Sequence, residues 1–288
     1  MNKTFHIEAL DPGILTDIYL AFLDSFSDYS VPFKLTKEQF VQKFVQRLKI
    51  SFESSCGVFH EGGGLAAFIF TAINNYKGVL TAYNGGTGVR PKYRGRRLVA
   101  AMYDHLLPIF HTKGIEQSVL EVLTTNDKAI RAYESVGFEK CDFFKCYKLI
   151  KPIRKKKVEG VSYIDVPRPL WQTYAPFADH DPSFLDSREM IEQNLPNINV
   201  MEARKEEGQC MGYIIYQPAF GRINQIGVDP MFRGKGIGSS MVQKVLHTSR
   251  KHNFTVLNIS EKNTSLHHFF ENLGFQNQLN QYEMVLKL

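Results

Sequence analysis

Two short stretches of the chain concentrate glycine and positive charge where a polyanion could be held. One runs Thr87-Gly-Val-Arg-Pro-Lys-Tyr-Arg-Gly-Arg-Arg-Leu-Val99, the other Ile226-Gly-Val-Asp-Pro-Met-Phe-Arg-Gly-Lys-Gly-Ile-Gly238. Both read Gly-Val-x-Pro-x-aromatic-Arg-Gly-basic, 233 − 94 = 139 positions apart. In the second, a strand pattern ends at Val228, Pro230 stops regular pairing, and Arg233 to Gly238 leads straight into a helix pattern. The first turn of a helix has unpaired N–H groups and a partial positive charge, so it attracts phosphate. Gly236 and Gly238 carry no side chain and let the backbone approach a bulky anion, while Arg233 and Lys235 add charge.

Three ligands compete for such a turn. A dinucleotide fold wants Gly-x-Gly-x-x-Gly in its first strand–helix unit, with an acidic residue about 20 positions on. Here the glycines are 234, 236 and 238, and the motif lies late in each repeat. An NTPase loop wants Gly-Lys-Ser/Thr, and Gly234-Lys235-Gly236 lacks the hydroxyl. The pyrophosphate of coenzyme A is the third reading.

The elements that must position these turns are themselves duplicated. Leu98, Met102, Leu106 and Phe110 recur at helical spacing after the first turn, and Ile237, Met241, Val242 and Val245 after the second. Strand patterns follow at Ser118–Leu123 and Phe254–Ile259. Then come Asn126-Asp-Lys-Ala-Ile-Arg-Ala-Tyr-Glu-Ser-Val-Gly-Phe138 and Asn263-Thr-Ser-Leu-His-His-Phe-Phe-Glu-Asn-Leu-Gly-Phe275, now 274 − 137 = 137 apart. Closing apolar strands are expected at Phe143–Leu149 and Tyr282–Leu286. Four matching segments in one order make a duplicated α/β unit of about 140 residues, a typical domain size. The charged run 151–162 reads as a linker between residues 1–150 and 163–288.

The order of turn, helix, strand, Asn and Gly-Phe resembles the GNAT N-acetyltransferase superfamily, twice over. Arg233, Gly236 and Gly238 match its Arg/Gln-x-x-Gly-x-Gly/Ala signature, and Asn126, Tyr133 and Gly137-Phe138 match its second signature. The resemblance implies two tandem domains, each a mixed, mostly antiparallel sheet flanked by helices. It implies acetyl-CoA as donor and direct transfer to an amine. The donor contacts carried over are Thr87, Gly88, Val89, then Arg94, Gly95, Arg96, Arg97, Leu98 and Val99, with Asn126. In the second half they are Ile226, Gly227, Val228, then Arg233, Gly234, Lys235, Gly236, Ile237 and Gly238, with Asn263 and Phe270. The N–H near Val89 or Val228 would polarise the thioester carbonyl. The family's general acid is the Tyr before Gly-Phe, here Tyr133; a phenol ordinarily titrates near pH 10 and stays protonated at neutrality.

The halves depart from the pattern in complementary ways. Arg97 and Val99 stand where glycine or alanine is preferred, yet this half keeps Tyr133. The second turn is intact, but Phe270 takes the Tyr position and has no proton to give. Catalysis is expected in the first half, with coenzyme A binding or support of the fold in the second. Glu121 is a candidate base, as are Asp28 and Tyr29, and Tyr83 and Asn84 are candidates for the acceptor cleft.

Bulk properties narrow the partners. Among 288 residues, 22% are charged and 43% hydrophobic, an ordinary globular composition with room for two domains. A net charge of +6 without any concentrated basic domain argues against nucleic acid. The four cysteines form no zinc spacing, so no metal is expected. No run of 18 apolar residues and no signal sequence is present, so a cytoplasmic protein with no membrane partner is expected. A small-molecule or peptide amine is the expected acceptor, and a monomer or homodimer the expected state. The rival reading from another class is a catalytically silent, acyl-CoA-binding regulatory protein.

Overall fold

The computed structural model describes residues 5–28, 34–151, 158–249 and 253–288. The order is β1 (Phe5–Ala9), α1 (Leu15–Ser25), α2 (Lys37–Phe40), β2 (Cys56–His60), β3 (Leu65–Tyr76), β4 (Val79–Val89), α3 (Leu98–Thr112), β5 (Gln117–Leu123), α4 (Asp127–Glu134) and β6 (Glu139–Leu149). It repeats as β7 (Val161–Val166), α5 (Trp171–Tyr174), α6 (Arg188–Gln193), β8 (Asn199–Lys205), β9 (Cys210–Gln217), β10 (Arg222–Val228), α7 (Ile237–Thr248), β11 (Thr255–Ser260), α8 (Thr264–Asn272) and β12 (Phe275–Lys287). Tyr29 and residues 152–157 of the expected linker lie outside the described residues.

The chain folds into two compact units. Unit 1 takes the chain up to Cys141 together with Tyr282–Leu288, and unit 2 takes Asp142–Gln281. The strand order of unit 1 is β1-β2-β3-β4-β5-β12, and that of unit 2 is β7-β8-β9-β10-β11-β6. In each, the β4–β5 or β10–β11 pair is parallel, while β1 to β4 and β7 to β10 pair antiparallel. This is the mixed sheet flanked by helices that the sequence predicts.

Helices cover both faces of β3, so its residues Leu65–Ala72 read as a continuous buried run rather than an alternation. On one face, Met102, Leu106 and Phe110 of α3 pack on Ala67, Ile69 and Val122. On the other, Phe22 of α1 packs on Phe68 and Phe40 of α2 on Phe70, with ring centroids 6.4 and 6.0 Å apart. The helix α3 stops at Thr112, and Gly114 turns the chain at a left-handed φ of 67°.

The closing strands form where the sequence places them, but they close different cores. Residues 144–148 of β6 pair with β11 in unit 2. Met284 is fully buried among Met102, Leu120 and Phe138 in the core of unit 1. Tyr147 and Leu149 are buried in the core of unit 2. The two closing strands carry the same apolar alternation, and alternation specifies a face, not which copy of a repeat is closed.

One consequence is measurable. Met284→Ala, near the end of the second half of the sequence, removes buried surface from unit 1 and costs about 2–5 kcal/mol. Amide hydrogen exchange should show the lost protection in α3 and β5. Lost protection confined to residues 163–281 would overturn the assignment.

Candidate functional site

Each sheet forks. The strands β4 and β5 pair from Thr81↔Gln117 to Asn84↔Leu120 and then part. A register shift leaves Gly85 unpaired against β3, which marks a bulge. In unit 2, β10 and β11 pair only at Arg222 and Ile223, and the shift leaves Asn224 over. The bulges are 224 − 85 = 139 positions apart, the same offset as the turns. Bulges bend a strand and increase its twist, which parts it from its neighbour.

Beyond the fork, one edge of β4 is free. The amide of Arg90 donates to Ala66 O on the β3 side, and backbone groups alternate along a strand, so the Val89 N–H is directed to the open side. Asp229 donates to Met211 O in the same way and leaves Val228 N–H on the open side of β10. The signature arginines occupy part of this edge. Arg94 donates from Nε to Val89 O at 3.2 Å and from Nη2 to Ser25 O at 2.9 Å, and it pairs with Asp28 at 2.5 Å. Arg233 repeats this on Val228 O, Phe177 O and Asp179 at 2.9, 3.0 and 2.9 Å. The Arg94 guanidinium holds the Asp28 carboxyl down at about 2, too weak for the base that the sequence allowed there.

A cavity opens at each fork. That of unit 1 has a volume of about 820 Å³ and runs from Thr87 and Val89 past the Arg94–Val99 turn to Asn126 and Tyr133. That of unit 2 is about 430 Å³ and includes Ile226, Val228, the Arg233–Gly238 turn, Asn263 and Phe270. In α3 the first intrahelical bond runs from Ala101 N–H to Arg97 O, so the amides of Leu98, Val99 and Ala100 have no acceptor within the helix. In α7 it runs from Ser240 to Gly236, which frees Ile237, Gly238 and Ser239.

The family model for the acetyltransferase (GNAT) family matches residues 17–138 and again 165–275. The chain belongs to this family. It is thus an acetyltransferase by family, built of two GNAT domains. A GCN5-related N-acetyltransferase from Sphaerobacter thermophilus is similar across 98% of this chain and 95% of its own, with a TM-score of 0.76 and 14% identity. A putative acetyltransferase from Pyrococcus horikoshii covers 99% and 89%, with a TM-score of 0.72 and 16% identity. A tandem GNAT protein from the clavulanic acid biosynthesis pathway covers 99% and 98%, with a TM-score of 0.71 and 14% identity. At these identities the likeness is one of fold. No curated protein matches the chain.

The two GNAT turns differ as the sequence suggests, with consequences it does not reveal. Gly236 sits before α7 at a φ of 86°, and Arg97 holds the same left-handed position before α3 at 56°. A side chain there costs about 1–2 kcal/mol of backbone strain. A Cβ on Gly238 would stand 3.1 Å from the Phe269 ring. The corresponding positions in unit 1 are Val99 and Ala132, so the bulk has changed sides and Val99 need not obstruct the cavity. Gly88 and Gly227 are packing positions: a Cβ would meet Phe68 at 2.4 Å or Tyr213 at 2.6 Å. Asn126 and Asn263 cap α4 and α8, accepting from Ala129 N–H and Leu266 N–H, each at 3.2 Å. Lys235 lies over the Phe232 ring at 5.0 Å. Gly95 and Gly234 both turn the chain at a φ of 76°.

The surroundings of Tyr133, Glu121 and their counterparts diverge more sharply. Tyr133 packs edge-on to Phe138 and lines the cavity. Phe270 makes the same edge contact with Phe275 and is fully buried. Glu121 lies just past the last β4–β5 pair, outside the cavity wall, and accepts a hydrogen bond from the Tyr83 hydroxyl. Asn84 donates to the Thr87 and Tyr103 hydroxyls, each at 2.8 Å, and so braces the fork. In unit 2 the fork is locked. Asp186 accepts from Arg222 at 2.6 Å and Asn224 at 2.7 Å, both nearly inaccessible, and its carbonyl accepts from Gln225 at 2.6 Å. The corresponding bulge residues of unit 1, Gly85 and Gly86, have no side chains to lock.

The strained turn gives a direct test. Arg97→Gly should stabilise unit 1 by about 0.5 kcal/mol, the relieved strain less the entropy of a new glycine. Gly236→Ala should destabilise unit 2 by about 1 kcal/mol. Chemical denaturation measures both, and a destabilising Arg97→Gly would mean that its side chain holds the turn together.

Proposed function

We propose that unit 1 transfers the acetyl group of acetyl-CoA to a primary amine of a small molecule or peptide. The observation that carries this reading is that one cavity joins the Arg94–Val99 turn, the free edge of β4 and the Tyr133 side chain. A donor's phosphates would meet the open amides of α3 and the charge of Arg96 and Arg97. The bound donor supplies an activated thioester. Val89 N–H is placed to bind the carbonyl oxygen as negative charge builds on it. Tyr133 is the group able to return a proton to the departing sulfur. Glu121 is the carboxylate at the fork that would take the proton of the acceptor amine, directly or through water.

Electrostatics favour unit 1 over unit 2 as the donor site. With Arg94 matched to Asp28, the unit 1 cavity retains Arg96, Arg97, Lys128 and Arg131. With Arg233 matched to Asp179, the unit 2 cavity retains no further arginine or lysine among the described residues and has the exposed carboxylate of Asp181 at its wall. A polyanionic donor is drawn to the first. Of the two roles that the sequence leaves open for the second half, this reading favours support of the fold, with donor and acid both in unit 1.

Tyr133→Phe should lower kcat by about 100-fold or more while leaving acetyl-CoA affinity intact, as loss of a general acid does. Gly236→Glu, in unit 2, should leave turnover near wild type. Thiol release over a panel of amines is the assay. Turnover sensitive only to Gly236→Glu would overturn the reading, and donor binding without turnover on any amine would favour the silent, regulatory one.

A further inference from the structure

The cavity of unit 2 keeps the glycine turn but is walled for a different kind of guest. Its volume, about 430 Å³, is in the range of small-molecule sites. Much of its wall is apolar, with Phe177, Ile226, Phe232 and Phe269 among the lining side chains. Two buried polar side chains interrupt that wall, Ser183 and Asn224, which are 2% and 8% exposed. Asn224 Nδ2 donates to Asp186, but Asn224 Oδ1 takes no part in that lock. Among the described residues, neither Asn224 Oδ1 nor Ser183 Oγ has a hydrogen-bond partner. Buried polar atoms are nearly always met, by protein, water or ligand.

The charges around this cavity cancel except for one. Arg233 is matched to Asp179, and buried Arg222 donates to Asp186 at 2.6 Å. The exposed carboxylate of Asp181 remains at the wall. The duplicated unit serves as an internal control. At the bulge, unit 1 has Gly85 where unit 2 has Asn224. Beside the turn, unit 1 has Ala132 where unit 2 has Phe269, at an offset of 269 − 132 = 137. The fold therefore forms without the Asn224 amide and without the Phe269 ring.

We infer that unit 2 is a binding module for a small amine with an apolar body, and that its cavity selects this ligand over a polyanion. An ammonium group has donors and no acceptor. Asn224 Oδ1 and Ser183 Oγ can each accept from it, and the Asp181 carboxylate supplies the opposite charge. The apolar body covers the Phe177, Ile226, Phe232 and Phe269 side chains and takes them out of water. Such a module needs no turnover, and it stands apart from the reaction assigned to unit 1.

Phenethylamine, 2-phenylethanol and 3-phenylpropanoate share one ring and one chain and differ in the end group, and their binding to the full chain tests this. Trp171, the chain's one tryptophan, packs edge-on to Tyr174, which stacks at 4.0 Å on the cavity residue Tyr213. Its emission therefore reports on this cavity. At pH 8, where ordinary imidazoles are neutral, phenethylamine should change that emission and bind about tenfold or more tightly than 2-phenylethanol, the scale of hydrogen bonds to a charged group. The acid should not bind. Ser183→Ala should weaken phenethylamine about fivefold and leave the melting temperature unchanged, because Ser183 Oγ has no partner to lose among the described residues. Asp181→Asn should narrow the preference for the amine over the alcohol. Equal binding of the three probes, preference for the acid, or no millimolar binding of any of them overturns the inference and leaves the reading of unit 1 standing. So does amine binding that survives both substitutions and leaves Trp171 emission unchanged, which belongs to unit 1. Direct competition between acetyl-CoA and phenethylamine for the Trp171 signal would put the donor in unit 2 and sink both readings.

Discussion

A parallel strand pair that stops pairing half-way along leaves backbone groups with no partner, and the rest of each unit is arranged around that deficit. Past Asn84, β4 has no β5 beside it, and its open edge presents the Val89 amide and carbonyl. Buried backbone groups are met almost without exception. Arg94 meets the carbonyl, and by the same side chain ties β4 to the end of α1 through Ser25 O and Asp28. The amide is left for a ligand. Arg233 does the same in unit 2 with different anchors, Phe177 O and Asp179. The signature arginine, which by sequence looks like phosphate-binding charge, is spent on keeping the fork open. Its ion pair is largely solvent-exposed and by itself contributes little; its value lies in the carbonyls it satisfies.

With the fork secured by an element common to both units, the rest of each site is free to diverge. Unit 1 tolerates a strained Arg97 and moves bulk from α4 to Val99, and its cavity is the larger and more basic. Unit 2 keeps both glycines but fills the space beside Gly238 with Phe269 and pins its fork through Asp186, Arg222 and Asn224. An intact glycine motif is evidence for the geometry of a turn. Whether that turn faces a site able to hold a polyanion depends on side chains elsewhere.

The difference explains what was legible in the sequence. The turns, the helices after them and the Asn-capped α4 and α8 depend on local periodicity and on short motifs, so they could be read directly. The caps are a case in point: Asn126 and Asn263 carry the motif because an amide oxygen satisfies an N-terminal helix donor. Long-range choices were not legible. Nothing local in β6 or β12 says which core it closes. Asp28 and Asp179 lie 66 and 54 positions from the arginines they hold, and a Phe two positions before each is too slight a pattern to mark them. Lys128 and Arg131 stand in plain view beside Asn126, yet an exposed cation on a helix is ordinarily a solvated one. Only the cavity wall behind them gives them meaning.

The closing strands bear on why a unit with Phe270 in place of the tyrosine is still present. Met284 completes the core of unit 1, and Tyr147 and Leu149 complete that of unit 2. Each core thus needs residues from the far half of the sequence. Losing the residues after Gln281 would expose the surface that Met102, Leu120 and Phe138 bury, at about 25 cal/mol per Å² of apolar area. Unit 2 is therefore free to lose the Tyr hydroxyl at Phe270 and to lock its fork, because neither change touches the strand that unit 1 requires. It is not free to lose the backbone that delivers that strand.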